Sequence, residues 1–532
     1  MLINDVGGLG RIEVTRIPLP EFVKNAMGTY TYSGKVNVIY VTENDPKVDD
    51  YYNIAVLNDD GSDFKVVFSG VIKRVKRSNG IRVMPYQDNK RVLLGDYVLE
   101  YSPDIDNCEK TELVPVEYPI SIMDDPNTMA HWSEIIISPD NEYIGWTSLR
   151  SDTGAANFLG RLVREKDKYV IKDTQIISSI EYIANDTTKD GYIKPLTRRG
   201  GEIKQFVRGG AAISLCGGGG RSLLSVSSVE DFNTGEVTYI NKVPGYEETT
   251  MFSPDERLGV AMSTRGSPMT NSAVLDLLPV PYGSLASSGI ILAVYMYAVS
   301  AVRAFRPGNV GPVLIDIKRA MGEEGYRGVL LNDPGDEWVY YSPISWHPGS
   351  VKAMWNEGQR GRRENKRLMI AKLLDYKPGA AVPIVKTPTD ISYGVRDLSV
   401  LRHGAPVTGL EGKIAGKHSG YMQYARSGAG MECASEAAYH NFSDDGKRFY
   451  NGFIRSSSIE ETILESDIEM TGEECGEMKL RVTFSKTTLQ IGGQPEPTRV
   501  LFENAEDGKP KSYGHAEYKG IRLNVRDVYY KD

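Results

Sequence analysis

The sequence predicts an all-β protein: a β-propeller of about seven four-stranded blades, with insertions and a C-terminal β extension. Three observations predict it. First, an apolar strand, a Ser-Pro-Asp turn or close variant, and a second strand recur as "EIIISPDNEYIGWT" (134–147), "TTMFSPDERLGVAM" (249–262), "ISWHPGSVKAMW" (344–355) and "YHNFSDDGKRFYNG" (439–452). Proline fixes φ at the first turn corner, Asp or Gly accepts the second, and β-branched and aromatic flanks suit pleated strands. Second, a polar connection and a third strand follow such hairpins, as in "KDKYVIKDTQIIS" (166–178) and "KRLMIAKLLDY" (366–376). Third, the 31 Tyr and 54 Gly among 532 residues favour strands and tight turns over helices. Radial repetition of four-stranded sheets is the architecture that such a repeat suggests.

Residues 1–478 read as the propeller, with terminal strands available to close its ring. Residues 479–532 read as a β extension packed on it, because the pattern changes there to "KLRVTFSKTTLQIGG" and "YKGIRLNVRDVYY". The apolar stretch "GIILAVYMYAVSAVRAF" (289–305) is interrupted by Arg303 and falls short of the roughly 20 apolar residues a membrane span needs. It reads as a buried helix or strand pair, so no membrane partner is expected.

Net charge is −8, with no basic tail, so a nucleic-acid backbone is not an expected partner. The four cysteines, Cys108, Cys216, Cys433 and Cys475, form no CxxC, which removes zinc-ribbon and thioredoxin-type readings. The N-terminal "MLINDVGGLGRIEV" shows no basic segment followed by an apolar one, so no secretory signal is visible. Neither a phosphate-binding glycine motif nor a GxSxG nucleophile elbow occurs.

In a propeller the strand leading into each repeat turn lines the central channel, so counting back from the turn serine aligns the blades. His131 lies seven before Ser138, Glu248 five before Ser253, and Glu436 and His440 seven and three before Ser443. All four offsets are odd, and period-two alternation puts these side chains on one face. Glu134 and Glu247 fall on the other parity, and His347 takes the place of the turn serine in its hairpin. Convergent Glu and His suit general acid–base work, and carboxylates flanking a sugar suit glycoside cleavage. The same set could hold a divalent metal ion, so the cofactor expectation is none or one such ion.

The Ser-Pro-Asp hairpins resemble the TolB-like, or PD40, repeat of β-propellers. "ISWHPGSVKAMWNEGQ" and "AAYHNFSDDGKRF" resemble strand ends of oligogalacturonate lyases, which implies a manganese ion held by histidines. The region from "DNKRVLLGDYVLEYSPDID" to "HWSEIIISPD" is similar to fungal saponin hydrolases, which implies release of a glucuronosyl unit. The resulting expectation is a glycoside hydrolase acting on a small-molecule or oligosaccharide glycoside. Glu248 with Glu134 or Glu436 are the expected carboxylates, His131 and His440 the supporting acid–base groups, and Trp132, Glu247, His347, Tyr439 and Arg360 the binding residues. One alternative is eliminative cleavage of a uronic acid, with a His or Tyr439 as base and an Arg from "GQRGRRENKR" (358–367) on the substrate carboxylate. The other is a non-catalytic propeller that binds a protein or glycan.

Overall fold

In a computed structural model, the described residues are 1–528 apart from 76–79, 151–153, 179–182, 186–188, 196–200, 219–221, 268–271, 334, 336, 404–408, 430–431 and 487–497. The repeat turns show how their sequence works. In "SPD" the serine hydroxyl donates to the aspartate and accepts the backbone N–H of the returning strand: Ser253 Oγ lies 2.6 Å from Asp255 Oδ1 and 3.1 Å from the Leu258 nitrogen. Ser138 is bonded in the same way to Asp140 and to the Tyr143 nitrogen. The residue after each turn aspartate, Asn141 or Glu256, has φ of 64° or 52°, which closes a hairpin with one residue in the left-handed region.

Among the described residues six blades follow in chain order, at residues 24–71, 84–117, 128–176, 202–239, 247–330 and 338–373. Buried clusters join successive blades. Ile54 of blade 1 packs with Leu99 of blade 2, Leu93 of blade 2 with Trp132 of blade 3, Ile136 of blade 3 with Phe206 of blade 4, and Val207 of blade 4 with Phe252 of blade 5. Leu258 of blade 5 shares a cluster with Trp355 of blade 6, and Met354 of blade 6 packs with Tyr30 of blade 1, so the blades form a ring. The ring is closed by the N-terminus: Gly10–Arg16 pairs antiparallel with Arg362–Leu373, Ile12 opposite Leu373 and Arg16 opposite Met369. The all-β propeller is therefore the fold, with six such blades where the repeat suggested about seven.

The fourth hairpin accounts for the difference. "YHNFSDDGKRFYNG" lies within an eight-stranded antiparallel meander running from Leu410 to Asn524. Its long strands alternate between buried and exposed residues, as in Thr462–Gly472, which marks a sheet covered on one face only. Blade strands such as Leu258–Ser263 are buried on both faces. The expected boundary at 478 falls inside the strand Gly476–Phe484, which pairs on both sides, so the extension begins near 410.

The apolar stretch is a helix, Ser288–Val294 and Ala301–Ala304 joined by a π-helical turn at Tyr295–Ser300. It belongs to an insertion between the second and third strands of blade 5, on the face where the innermost strands begin. Buried side chains around it, among them Ile290, Val294, Tyr297, Val299 and Val302, place it between that face and the C-terminal sheet. Gly289 permits the close approach, since a Cβ there would stand 2.2 Å from Ser458 Cβ. Among the described residues no helix is long and apolar enough to cross a membrane.

Between blade 6 and the sheet, residues 374–400 cross the opposite face as a strap over the repeat turns. Asp255 Oδ2 accepts from the Tyr376 hydroxyl at 2.7 Å and the Gly379 nitrogen at 2.9 Å, and Asp140 Oδ2 accepts from the Thr387 nitrogen at 2.7 Å. Between these, the Val385 nitrogen donates to the carbonyl of Gly209, where a Cβ would fall 2.0 Å from the Pro383 carbonyl oxygen. Val395 then bridges to Ile176 on the outer strand of blade 3.

The closing strand carries a direct expectation. Ile12 is fully buried and Glu13 beside it is exposed. Ile12→Ala should lower the unfolding free energy by about 2–5 kcal/mol, and Glu13→Ala by under about 0.5 kcal/mol, read from urea midpoints followed by tryptophan fluorescence.

Candidate functional site

The innermost strands of blades 3, 4 and 5 are Thr128–Ile137, Glu202–Val207 and Glu247–Phe252. Each breaks register near the axis. Pairing jumps from Ala130 to Glu134, from Ile203 to Gln205, and from Glu247 to Thr249. Lys204 and Glu248 are thereby left out of the ladder, and a bulge re-aims such a side chain onto a face that simple alternation would deny it.

The result is a charged cluster on the axis. Lys204 Nζ lies 2.8 Å from Glu202 Oε2, 3.4 Å from Glu134 Oε1 and 3.7 Å from Glu248 Oε1. Arg82, just ahead of blade 2, donates to Glu134 Oε1 at 2.9 Å and to Ser342 Oγ of blade 6 at 3.2 Å. Ser133 Oγ donates to Glu202 Oε1 at 2.7 Å, and the Tyr246 hydroxyl to Glu248 Oε2 at 3.4 Å. The roof helix adds Tyr295 and Arg303. Arg303 Nε donates to the Tyr340 carbonyl at 3.1 Å, and its guanidinium lies 4.7 Å from the Tyr341 ring centre, yet it makes no ion pair among the described residues. Lys204 is 3 % exposed, while the three glutamates keep 16–25 % of their side-chain surface, so water-sized space reaches them.

The carboxylates differ in acidity. Burial pushes Glu248 up, Lys204 opposes this, and the charge of Glu202 adds to the rise, leaving Glu248 above the usual carboxylate range. For Glu202 burial acts in the same direction. It is outweighed by the charge and hydrogen bond of Lys204, the Ser133 hydroxyl and the charge of Arg82, so Glu202 lies below that range. Burial and the nearby Glu248 push the Tyr295 hydroxyl to about 12, and burial takes the Cys216 thiol to about 12 against the pull of Lys204.

Oxygens of Glu134, Glu202 and Glu248 all lie within 4.8 Å of one another, a spacing a divalent ion could use. The Lys204 ammonium already holds the cation position among them. The histidines expected to hold manganese do not meet. His131 Nε2 is buried against Asp96 Oδ1 at 2.8 Å, His347 sits in the blade 6 turn accepting from the Gly349 nitrogen, and His440 stacks on Tyr421 in the C-terminal sheet. These residues do not fit a histidine-held metal.

Of the expected site residues, the structure brings together Glu134 and Glu248. Trp132 is buried and donates through Nε1 to Asp96, and Glu247 is buried in an ion pair with Arg265. Glu436 lies on the exposed face of the C-terminal sheet opposite Arg455, and the buried Tyr439 bonds to the Pro281 carbonyl ahead of the roof helix. Arg360 donates to the Val302 and Gly308 carbonyls, clamping the end of that helix. The expected common face fails because bulges reset the period of two at His131 and Glu248, and because Glu436 and His440 belong to the C-terminal sheet and not to a blade. Glu202, Lys204, Arg82 and Arg303 were not anticipated. Blade 4 turns on "VRGG" instead of Ser-Pro-Asp, and its strand "GEIKQF" went unaligned.

On strand order alone, residues 10–373 form the β-propeller expected from the repeat. No family model matches the chain, and no curated protein does. Solved structures similar to it include TolB from Acinetobacter baumannii, at 12 % identity and a TM-score of 0.28, covering 68 % of this chain and 66 % of that one. Another is the propeller domain of the Trilobed protease from Pyrococcus furiosus, at 10 % identity and a TM-score of 0.31, covering 68 % and 98 %. A third is acylaminoacyl peptidase from Pyrococcus horikoshii, at 10 % identity and a TM-score of 0.33, covering 76 % of this chain and 58 % of that one.

Lys204→Met removes the ammonium and leaves three facing carboxylates. Breaking a buried ion pair from one side costs about 3–5 kcal/mol. The variant should lose that much stability at pH 8 in denaturant titrations, and the deficit should shrink toward pH 5 as carboxylates take up protons.

Proposed function

We propose that the chain is a glycoside hydrolase that releases a terminal glycosyl unit, with a preference for a uronosyl unit, at the axial cluster. The observation that carries this reading is the pair Glu202 and Glu248, close together and pushed in opposite directions in acidity. Such divergence is how one site keeps an acid and a base at the same pH. Glu248 is the general acid. It gives its proton to the glycosidic oxygen as that bond breaks, and the aglycone leaves as an alcohol. Glu202 is the nucleophile at the anomeric carbon, and water, deprotonated by Glu248, then frees the sugar and restores Glu202. Carboxylate oxygens of Glu202 and Glu248 within 4.8 Å of one another support this retaining course, because an inverting one needs carboxylates about 6.5–9.5 Å apart.

Arg303 supports the uronosyl preference, since a guanidinium beside the acid that makes no ion pair among the described residues suits a substrate carboxylate. Lys204 and Arg82 keep Glu202 ionised. In this assignment Glu202 must be deprotonated and Glu248 protonated. Activity should rise with pH through the lowered Glu202 value and fall through the raised Glu248 value, giving a bell whose alkaline limb belongs to Glu248.

Assays on p-nitrophenyl and alkyl β-glucuronides, set beside the matching glucosides, test the reading. Glu248→Gln should slow the alkyl glucuronide by about 10²–10⁴-fold and the activated aryl one much less. Glu202→Ala should abolish turnover, with azide restoring it as a glycosyl azide. Arg303→Met should raise KM for glucuronides and leave glucosides unaffected. Unchanged turnover in both glutamate variants, or no glycosidic cleavage across the panel, would sink the assignment. An unsaturated, ultraviolet-absorbing product would move it to elimination.

A further inference from the structure

A cavity of about 570 Å³ opens at the rim of the ring between blades 4 and 5 and the C-terminal sheet. Its walls are largely apolar: Val226 and Val243 from the blade 4 side, Leu277 and Met321 from the blade 5 insertion and helix, and Ile521 from the last hairpin of the sheet. Tyr239 and Tyr518 add two rings. Five charged groups face the cleft around Asp276: Lys242, Glu324, Arg448, Glu474 and Lys519. Four of them satisfy one another, since Lys519 bridges Glu324 at 2.8 Å and Glu474 at 2.9 Å, and Arg448 lies 3.8 Å from Glu474. Lys242 is exposed at the margin.

Asp276 is different. Its oxygens accept from Ser222 Oγ at 2.7 Å, the Leu223 nitrogen at 2.9 Å and the Gly245 backbone. All three partners are neutral, and among the described residues no cation pairs with it. Burial pushes its carboxyl up to about 7 against those hydrogen bonds. A half-buried carboxylate fixed by three donors, opening into an apolar cavity and lacking a counter-charge, is costly to keep unless a cation arrives.

We propose that this cleft is a binding site for a small amphipathic amine, its ammonium on Asp276 and its apolar or aromatic body against Val226, Leu277 and Ile521. The site is separate from the axial cluster and shares no residue with it.

The probe is 2-phenylethylamine, compared by isothermal titration calorimetry with 2-phenylethanol and 3-phenylpropanoate. At pH 8 the amine should bind one to one, the alcohol at least tenfold more weakly, and the carboxylate not at all. An alkyl ammonium stays charged up to about pH 10, so the pH dependence belongs to Asp276. With that carboxyl titrating near 7, affinity should fall about a hundredfold from pH 8 to pH 5, with a proton released on binding below pH 7. Asp276→Asn should remove the preference for amine over alcohol. Ile521→Trp, a change at an exposed position that fills the cleft and leaves the Asp276 hydrogen bonds intact, should weaken amine binding at least tenfold. Equal binding of alcohol and amine, a flat pH profile, amine binding unaffected by Ile521→Trp, or no binding at all would overturn the proposal.

Discussion

Lys204 is the group on which the axial architecture turns. An ammonium with 3 % exposure must be neutralised, and this one draws a carboxylate from each of blades 3, 4 and 5 to within 3.7 Å. Arg82 and Arg303 bring the total to three cations beside three carboxyl groups, so the centre of the ring is polar and charged rather than apolar. Such a cluster is favourable only where geometry is good and the remaining polar atoms are satisfied. Those requirements account for the bulges that present Lys204 and Glu248, and for the Ser133 and Tyr246 hydroxyls that complete Glu202 and Glu248. They also account for the roof helix, which limits water around the group.

The same logic recurs at several sites away from the axis, where a buried charge is paired and ties segments together. Arg150 bonds Asp125 at 3.0 Å with both side chains almost wholly buried. Asp96 receives His131 and Trp132 from the next blade, and Glu357 gathers Trp355 and Arg367. Hydrophobic layers between blades tolerate sliding, whereas a buried directional bond fixes one register. The charged pairs thus select a single arrangement of stacked sheets whose apolar faces are otherwise much alike.

Much of the ring was legible in the sequence because Ser-Pro-Asp is largely a local device: its hydroxyl and one carboxylate oxygen act within five residues, so the turn can be read without knowing what surrounds it. The blade count was less legible. "FSDDGKRF" makes the same kind of turn in a one-sided sheet, and the alternation in "TILESDIEMTG" that gives this away lies downstream of the hairpin. The site was half legible. Glu248 and Glu134 could be named from their closeness to repeat turns, but which way they point depends on register breaks that exist only through pairing with the second strand. Arg303 was hidden for another reason. It interrupts an apolar run, and nothing local says that the run is folded over the channel.

The strap gives the roof a mechanical character. The C-terminal sheet is joined to the ring through the helix insertion rooted in blade 5. On the other side, the chain climbs blade 3, where Arg150 holds the Leu401 carbonyl at 3.3 Å. A cover anchored on two separate blades cannot swing about one hinge. Opening by rotation would first have to strip the strap from Asp255, Gly209 and Asp140. Shear is the motion left to it, a slide of the helix against the sheet of the kind seen between packed helices. At Gly289 the helix backbone passes close against Ser458, so any side chain there would jam that slide.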